Sequence, residues 1–264
     1  MWKPIAAAAS MGLLIAGVVA DTARYQVPLL PPPDGPWPET GTFFLYLCED
    51  DRAWAGCAGR GAVTVGELRG IERALASLPE ITSYRRRTRE EALAIARQDY
   101  RIGAILTVDF MPHITYGGTL ARGDWRALLG ELADLPGVGA SGAYRDNFWW
   151  GKADVSVMLC PKDAVHRSAK RCEGRGRATE AEKEAVLDRI RAVRGIEKIY
   201  LEDPAHAAKA RDHVEWLMSF GGGDLDELPE TFYLTLADPS AVARIEKSLT
   251  GMAGVAQVTP VVRP

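Results

Sequence analysis

The sequence predicts an α+β protein of two tandem modules, each with the element order βαββαβ and a helical insertion between its second and third strands. Three observations support this prediction. The pattern CxGRGxxT occurs twice, opening at Cys57 and at Cys172, 115 residues apart. An apolar, β-rich run precedes each copy, and a helix that starts with TxxE follows it. Self-similarity at a fixed spacing of this kind indicates a duplicated structural unit.

Composition excludes several classes of protein. The 264 residues are 47% hydrophobic and 25% charged, which is ordinary for a globular protein. The net charge of −3 provides no basic field for nucleic acid, so we expect no nucleic-acid partner. Only one stretch is apolar enough to enter a bilayer, which excludes a polytopic channel.

Residues 1–24 are predicted to direct the chain to a membrane. The run from Ile5 to Ala20 carries no charge, and its helix would rise about 24 Å, slightly less than the roughly 30 Å hydrocarbon core. Val18 and Ala20 stand where signal peptidase requires small residues. The segment is therefore a signal peptide cleaved after Ala20, with the protein secreted, or an uncleaved anchor in the cell membrane. Both alternatives place the remaining chain outside the cytoplasm.

The rest of the chain divides into four parts. Residues 25–40 are rich in proline and predict a stiff, extended spacer with neither a helical nor a strand period. Two folded modules are expected at 41–146 and 153–264, joined by a linker at 147–152.

Each predicted element of one module has a counterpart in the other. The first strands are Phe43 to Leu47 and Val155 to Leu159. Capping boxes then start a helix, Thr64 with Glu67 and Thr179 with Glu182. The second strands are expected at 83–86 and 198–201, the third strands at 104–110 and 231–236, and the third helices at 124–135 and 240–252. Without the insertions this order is that of a ferredoxin-like sandwich, two helices on one face of a four-stranded antiparallel sheet.

The four cysteines fall two to a module, each pair separated by a short polar loop. In an exported chain we expect disulfides between Cys48 and Cys57 and between Cys160 and Cys172. Free thiols and a zinc site are the alternatives. Zinc favours CxxC spacing or a nearby histidine, whereas these cysteines are nine and twelve residues apart, so we expect no metal.

No pattern typical of catalysis is present, and we expect neither catalytic residues nor a cofactor. Gly137, Gly139 and Gly142 fit GxGxxG in form, but they follow a predicted helix and precede a strand, the reverse of a dinucleotide-binding turn. The four histidines lie beside no nucleophile. A hydrolase with two carboxylates from distant positions is the less favoured alternative.

The insertion of the second module carries the candidate partner-binding residues. On a helical wheel Val214, Leu217 and Met218 share an apolar stripe, while Trp216 and Phe220 fall on the opposite side. Exposed aromatic residues often anchor protein interfaces, so these five residues are predicted to bind a partner. Packing of the two aromatics against the other module or another helix is the alternative.

The order of the motifs resembles the extracellular domain of FtsX, the permease-like subunit of a bacterial cell-division complex. In the second copy LPETFYLTLADP, residues 228–239, leads into a helix that ends at Gly254 and Val255. In the first copy RTREEALA, residues 87–94, is similar to the start of the family's lobe helix. The resemblance implies a two-lobed, non-catalytic receptor whose helical lobe grips a peptidoglycan hydrolase or its adaptor.

Unlike that family, this sequence has no set of four membrane-spanning segments, and it carries the extracellular module twice. We therefore expect an extracytoplasmic, non-enzymatic protein that recruits or regulates a cell-wall hydrolase in cell division or wall remodelling. The alternative is a glycan- or muropeptide-binding module that stacks its ligand on Trp216, Phe220, Trp149 and Trp150. We expect the last two, in the linker, to pack the modules together instead.

Overall fold

The computed structural model describes residues 27–49, 54–96, 111, 114–162, 171–217 and 228–263, which form an N-terminal and a C-terminal module, each built on one sheet. The strands are Leu29–Leu30 (β1), Gly41–Leu47 (β2), Ile81–Arg87 (β3), Thr115–Leu120 (β4), Val138–Arg145 (β5), Val155–Leu159 (β6), Ile196–Glu202 (β7), Thr231–Leu236 (β8) and Val255–Pro260 (β9). The α-helices are Val65–Ser77 (α1), Arg89–Ala96 (α2), Arg126–Ala133 (α3), Glu180–Arg191 (α4), Pro204–Val214 (α5) and Ala241–Leu249 (α6).

The two sheets share one strand order. The N-terminal sheet runs β3-β4-β2-β5 and the C-terminal sheet runs β7-β8-β6-β9, with β1 added outside β7. Every pairing within these two sets of four strands is antiparallel, whereas β1 runs parallel to β7. Helices α2 and α5 occupy the predicted insertions between the second and third strands of their modules.

Alternating apolar residues give each sheet one core-facing side. Residues of β2 and β6 alternate between buried and partly buried along their whole length. In the N-terminal core, Ile71 and Leu75 of α1 pack with Leu128 and Leu132 of α3 against the sheet. The C-terminal core repeats this arrangement with α4 and α6. Each module therefore has its own hydrophobic core between two helices and one face of its sheet.

The repeated CxGRGxxT pattern builds the same corner in both modules. Gly59 has a φ of 74°, which glycine adopts without strain. Arg60 forms an ion pair with Glu67, and Glu67 in turn accepts a hydrogen bond from the backbone N–H of Thr64, 2.8 Å away. The C-terminal module repeats these contacts with Gly174, Arg175, Glu182 and Thr179. The pattern thus encodes a turn followed by a capped helix start.

The third strand of the N-terminal module differs from the prediction. The predicted strand at 104–110 lies outside the described residues, and the strand that pairs with β2 is β4. Its sequence TYGGTL resembles a turn, but the sheet requires a glycine at 118, because a Cβ there would collide with the backbone carbonyl of Ser83 in β3. Tyr116 of this strand is a core residue, 2% exposed.

Several predictions fall on residues that the structure does not describe. The signal peptide or anchor at 1–24 lies there, and so do Met218 and Phe220. Within the described ranges, no helix is both long enough and apolar enough to cross a bilayer.

Candidate binding site

The proline-rich segment is a strap on the C-terminal module, not a free spacer. Leu29 and Leu30 pair in parallel with Ile199 and Tyr200 at the edge of the C-terminal sheet. Arg191 donates from Nε to the carbonyl of residue 27 at 3.1 Å. The sequence did not predict this pairing, because it involves only two strap residues and so produces no strand period. Residues 27–40 are called the strap below.

An aromatic junction forms where the strap, the linker between modules and α5 meet. Trp149 of the linker stacks on Tyr233 of β8, with ring centroids 3.9 Å apart and planes 10° from parallel. Phe148 contacts Trp37 of the strap at 4.3 Å and His206 of α5 at 4.7 Å between ring centroids. The aromatic junction comprises Trp37, Phe148, Trp149, Tyr200, His206 and Tyr233.

A buried carboxylate organises this junction. Glu202, the last residue of β7, is 4% exposed and accepts a hydrogen bond from Trp149 Nε1 at 2.8 Å. His206 Nδ1 lies 2.7 Å from the same oxygen, Oε1. Asp203 caps α5 by accepting from the backbone N–H of His206 at 2.7 Å, which fixes the helix start next to the carboxylate. Two donors offset the cost of burying the Glu202 charge, so the network positions linker and helix on the sheet.

The strap is also bound at its far end. His213 Nε2 lies 2.6 Å from the Pro38 carbonyl oxygen, so the ring nitrogen donates to that carbonyl. Burial lowers the pKa of His213, an effect that the Pro38 hydrogen bond opposes and the nearby Arg145 reinforces. Burial likewise lowers the pKa of Lys152, whose Nζ donates to the Phe148 carbonyl at 2.7 Å. Strap, linker and α5 are therefore joined by hydrogen bonds as well as by ring contacts.

An open cleft of about 370 Å³ lies between the strap and the first turns of α5. Lys209 extends over the ring of Trp37, with Nζ 4.6 Å from the ring centroid, and Asp34 provides a carboxylate on the strap side. The cleft is lined by Pro32, Pro33, Asp34, Trp37, Asp203, Ala205, His206 and Lys209. Charges of both signs beside one aromatic ring suit a polar ligand or a peptide, and no serine or cysteine nucleophile lines it.

The partner-binding prediction for the lobe needs correction at Trp216 and Leu217. Helix α5 ends at Val214, so the helical wheel does not apply to Trp216 and Leu217. Both side chains pack against the core of the N-terminal module, and Trp216 is half-buried. Its ring meets Trp125 edge-on at 6.1 Å. The alternative interpretation, that this tryptophan packs on the other module, agrees with these contacts.

Two arginines complete the environment of Trp216. The guanidinium of Arg126, at the start of α3, lies 4.7 Å from its ring centroid, and that of Arg145, at the end of β5, lies at 4.2 Å. Stacked guanidinium groups of this kind stabilise a tryptophan face by about 0.5–1 kcal/mol each when partly exposed. Trp216 therefore fastens the lobe of the C-terminal module to the N-terminal module.

The linker tryptophans do not form the predicted stacking surface for a glycan. Trp149 is 1% exposed and already stacked on Tyr233, so neither face of its ring is open to a ligand. Trp150 is partly buried, with the Arg263 guanidinium 5.7 Å from its ring centroid. We expected Trp149 and Trp150 to pack the two modules together, but Trp149 stacks on Tyr233 and donates to Glu202, which both belong to the C-terminal sheet.

Both expected disulfides are present. Cys48 bonds to Cys57 and Cys160 bonds to Cys172, each with Cα atoms 5.4 Å apart. Each bridge joins the end of the first strand of its module to the corner that precedes the capped helix. Over the part of the chain that the structure describes, no group of three histidine, cysteine or acidic side chains is arranged to hold a metal ion.

Sequence reasoning missed the residues that organise the junction. Trp37, Glu202 and His206 were not predicted to act together, although two signals were available. A tryptophan in a proline-rich spacer needs a surface to cover it, and Glu202 lies only four residues before His206 in the sequence.

Comparisons with known proteins give weak structural likenesses. Extracellular domain 1 of FtsX from S. pneumoniae, solved with undecyl-maltoside, is 14% identical, covers 40% of this chain and 92% of its own, and has a TM-score of 0.28. A proposed chlorite dismutase is 12% identical, covers 81% of this chain and 86% of its own, and has a TM-score of 0.26. At TM-scores this low, neither likeness assigns a fold.

A protein-family model matches the C-terminal module, although no single curated protein matches the chain. Residues 152–260, which run from just before β6 to the last residue of β9, match the family described as the FtsX extracellular domain.

Proposed function

We propose that the protein is an extracytoplasmic, non-enzymatic binding protein of cell division that recruits or regulates a cell-wall hydrolase. The observation that carries the proposal is the match of residues 152–260 to the FtsX extracellular domain. Family resemblance implies that such domains are regulatory and non-catalytic and that they bind hydrolases or hydrolase adaptors. Two disulfides are consistent with an exported chain.

The proposal extends to the N-terminal module, which we infer to be a second copy of the same ferredoxin-like domain. Support comes from the shared strand order of the two sheets and from the capping boxes at Thr64 and Thr179, which are followed by equivalent helices. Both modules also close the same disulfide-bonded corner.

The residues that follow α5 have a different role in this proposal from the one predicted from the sequence. Trp216 and Leu217 set the position of the lobe against the N-terminal module, because their side chains are already in contact with its core. Contact of Val214, Met218 and Phe220 with the partner stays a prediction. Attachment to the membrane through residues 1–24, and peptidoglycan as an additional ligand, stay predictions as well.

A capture experiment with a lytic readout tests the proposal. The full chain, tagged at its C-terminus, is incubated with envelope extract of the source organism, and the bound proteins are separated on a gel that contains peptidoglycan. We expect a clearing band from a captured hydrolase, and none at the mass of the chain itself. A clearing band at the chain's own mass would show that it is an enzyme.

The matched control is the same chain reduced, alkylated and unfolded before immobilisation. A hydrolase recovered equally by the folded and the unfolded chain binds non-specifically. That result, like capture of no hydrolase by the folded chain, contradicts the proposal.

A further inference from the structure

Over the part of the chain that the structure describes, the outer edge of β3 in the N-terminal module has no strand paired to it. Thr82 to Arg86 are all exposed, and among the described strands β3 pairs only with β4. Tyr84 is 36% exposed, and its hydroxyl donates to the Glu72 carbonyl of α1 at 3.2 Å. An edge of this kind offers unpaired backbone N–H and C=O groups to another strand.

The equivalent edge of the C-terminal module is occupied. The offset of 115 residues that relates the two cysteine motifs also relates Tyr84 to Ile199 and Arg85 to Tyr200. The registers agree, because Ile81 pairs with Leu120 as Ile196 pairs with Leu236, and both strands have an irregularity at the next residue. Strap residues Leu29 and Leu30 pair in parallel with Ile199 and Tyr200. The module architecture therefore accepts a parallel strand at this edge, and in the N-terminal module the same two positions are Tyr84 and Arg85.

The charges on β3 indicate what kind of strand would fit. Three consecutive arginines end the strand, and Arg85 forms an ion pair, with Nη1 2.7 Å from Glu91 Oε1. Arg86 is exposed and forms no ion pair within the described residues. Arg87 is half-buried, and its Nε is buried without a hydrogen-bond partner. Burial and then the neighbouring Arg85 lower the pKa of Arg87, while the Glu91 carboxylate opposes this shift.

We infer that the edge of β3 binds an extended, acidic segment of a partner protein by parallel strand addition at Tyr84 and Arg85. Backbone hydrogen bonds supply affinity, and carboxylates of the segment reach the exposed guanidinium of Arg86. This inference rests on the proposed function, because it names the surface through which that partner is held. Exposed arginines also protect edge strands from aggregation, and this simpler role predicts no saturable binding.

The test uses a fluorescein-labelled decapeptide of alternating valine and glutamate, titrated with the full chain and followed by fluorescence anisotropy. We expect saturable binding at one site. Two control peptides should bind at least about tenfold more weakly: alternating valine and lysine, and the glutamate peptide with every second amide N-methylated. If the N-methylated peptide binds as tightly as its parent, backbone pairing is absent and the inference is overturned.

Charge reversal locates the site. Arg85→Glu with Arg86→Glu should weaken binding about tenfold, while Arg69→Glu with Arg73→Glu, the same charge change on the exposed side of α1, should leave it unchanged. Arg86→Glu alone breaks no ion pair and should act in the same direction. Equal losses for both double variants would mean a general charge effect, and unchanged binding by the β3 variants would place the peptide elsewhere. Either result overturns the inference.

The two experiments distinguish failure of the inference about the β3 edge from failure of the proposed function. Capture of a hydrolase equally by the wild type and by Arg85→Glu with Arg86→Glu would leave the proposed function standing and remove the β3 edge from it. Peptide binding with the expected dependence on the β3 arginines, but no capture of a hydrolase, would support the edge as a peptide site and contradict the proposed function.

Discussion

Trp149 Nε1 donates to Glu202 Oε1 at 2.8 Å while the indole lies flat on Tyr233, so one side chain of the linker is fixed by a hydrogen bond and by stacking. Both partners belong to the C-terminal sheet. The linker is therefore part of that module's folded structure and not a flexible connection.

Replacing this tryptophan should destabilise the C-terminal module strongly. Trp149→Ala removes a fully buried ring and leaves the Glu202 carboxylate with one donor fewer, so we expect the free energy of unfolding to fall by about 3–5 kcal/mol. Urea unfolding followed by circular dichroism measures the change. Trp150→Ala is the matched control, and its loss should be about 1 kcal/mol because the ring is only partly buried. Equal losses of unfolding free energy for Trp149→Ala and Trp150→Ala would contradict the role of Trp149 in fixing the linker to the C-terminal sheet.

The contact between Trp125 and Trp216 should couple the two modules energetically. Edge-on aromatic pairs contribute about 0.5–1.5 kcal/mol beyond the area they bury. A double-mutant cycle with Trp125→Leu and Trp216→Ala should give a coupling energy in that range. The pair Val65→Ala and Trp216→Ala serves as the control and should be additive, because Val65 is exposed on α1. Additivity of the two tryptophan variants would show that the contact is not formed in solution.

Local patterns were enough to predict several elements of the two modules, although not β4. The capping boxes at Thr64 and Thr179 start α1 and α4 where the sequence places them, because a cap depends only on residues three positions apart. Strand β8 has the predicted bounds, since its alternation is not interrupted by glycine. The duplication itself predicted that the two sheets would share an order.

Long-range contacts account for what the sequence did not reveal. Residues after Val214 are good helix formers, yet the chain leaves the helix there so that Trp216 and Leu217 reach the core of the N-terminal module. Tertiary packing overrides propensity at such a point. The pairing of the strap was not predicted for the same reason. Its partner Ile199 is far away in the sequence, and the proline-rich segment has no strand pattern of its own.

Each disulfide should stabilise its module by closing a short loop. The bridges span sequence separations of 9 and 12 residues, for which loop-closure entropy gives about 3 kcal/mol each. Cys48→Ser with Cys57→Ser should lower the free energy of unfolding of the N-terminal module by that amount, measured by urea unfolding. The equivalent double variant of Cys160 and Cys172 should affect the C-terminal module similarly. Four free thiols in the untreated protein, detected by mass spectrometry after alkylation, would contradict both bridges.

The free energy of unfolding should decrease in mild acid through His213, the residue that binds the Pro38 carbonyl of the strap. Burial holds the pKa of this histidine below its ordinary value of 6.5, so as the pH falls the unfolded chain takes up a proton before the folded chain does. The stability that His213 contributes is thus complete above about pH 6.5 and decreases as the pH falls through that value toward the folded-state pKa. The measurement is the free energy of unfolding at about pH 7.5 and about pH 5.5, for the wild type and for His213→Gln.

The glutamine variant isolates this titration, because its amide can still donate to the Pro38 carbonyl but carries no titrating group. We expect the stability of the wild type relative to His213→Gln to be lower at the acidic pH than at the higher pH. Arg145→Gln should reduce this fall, because the Arg145 charge is one of the causes that lower the pKa of His213. A relative stability that instead rises in acid would mean that the folded-state pKa lies above 6.5, with the ring bound to the strap as a cation.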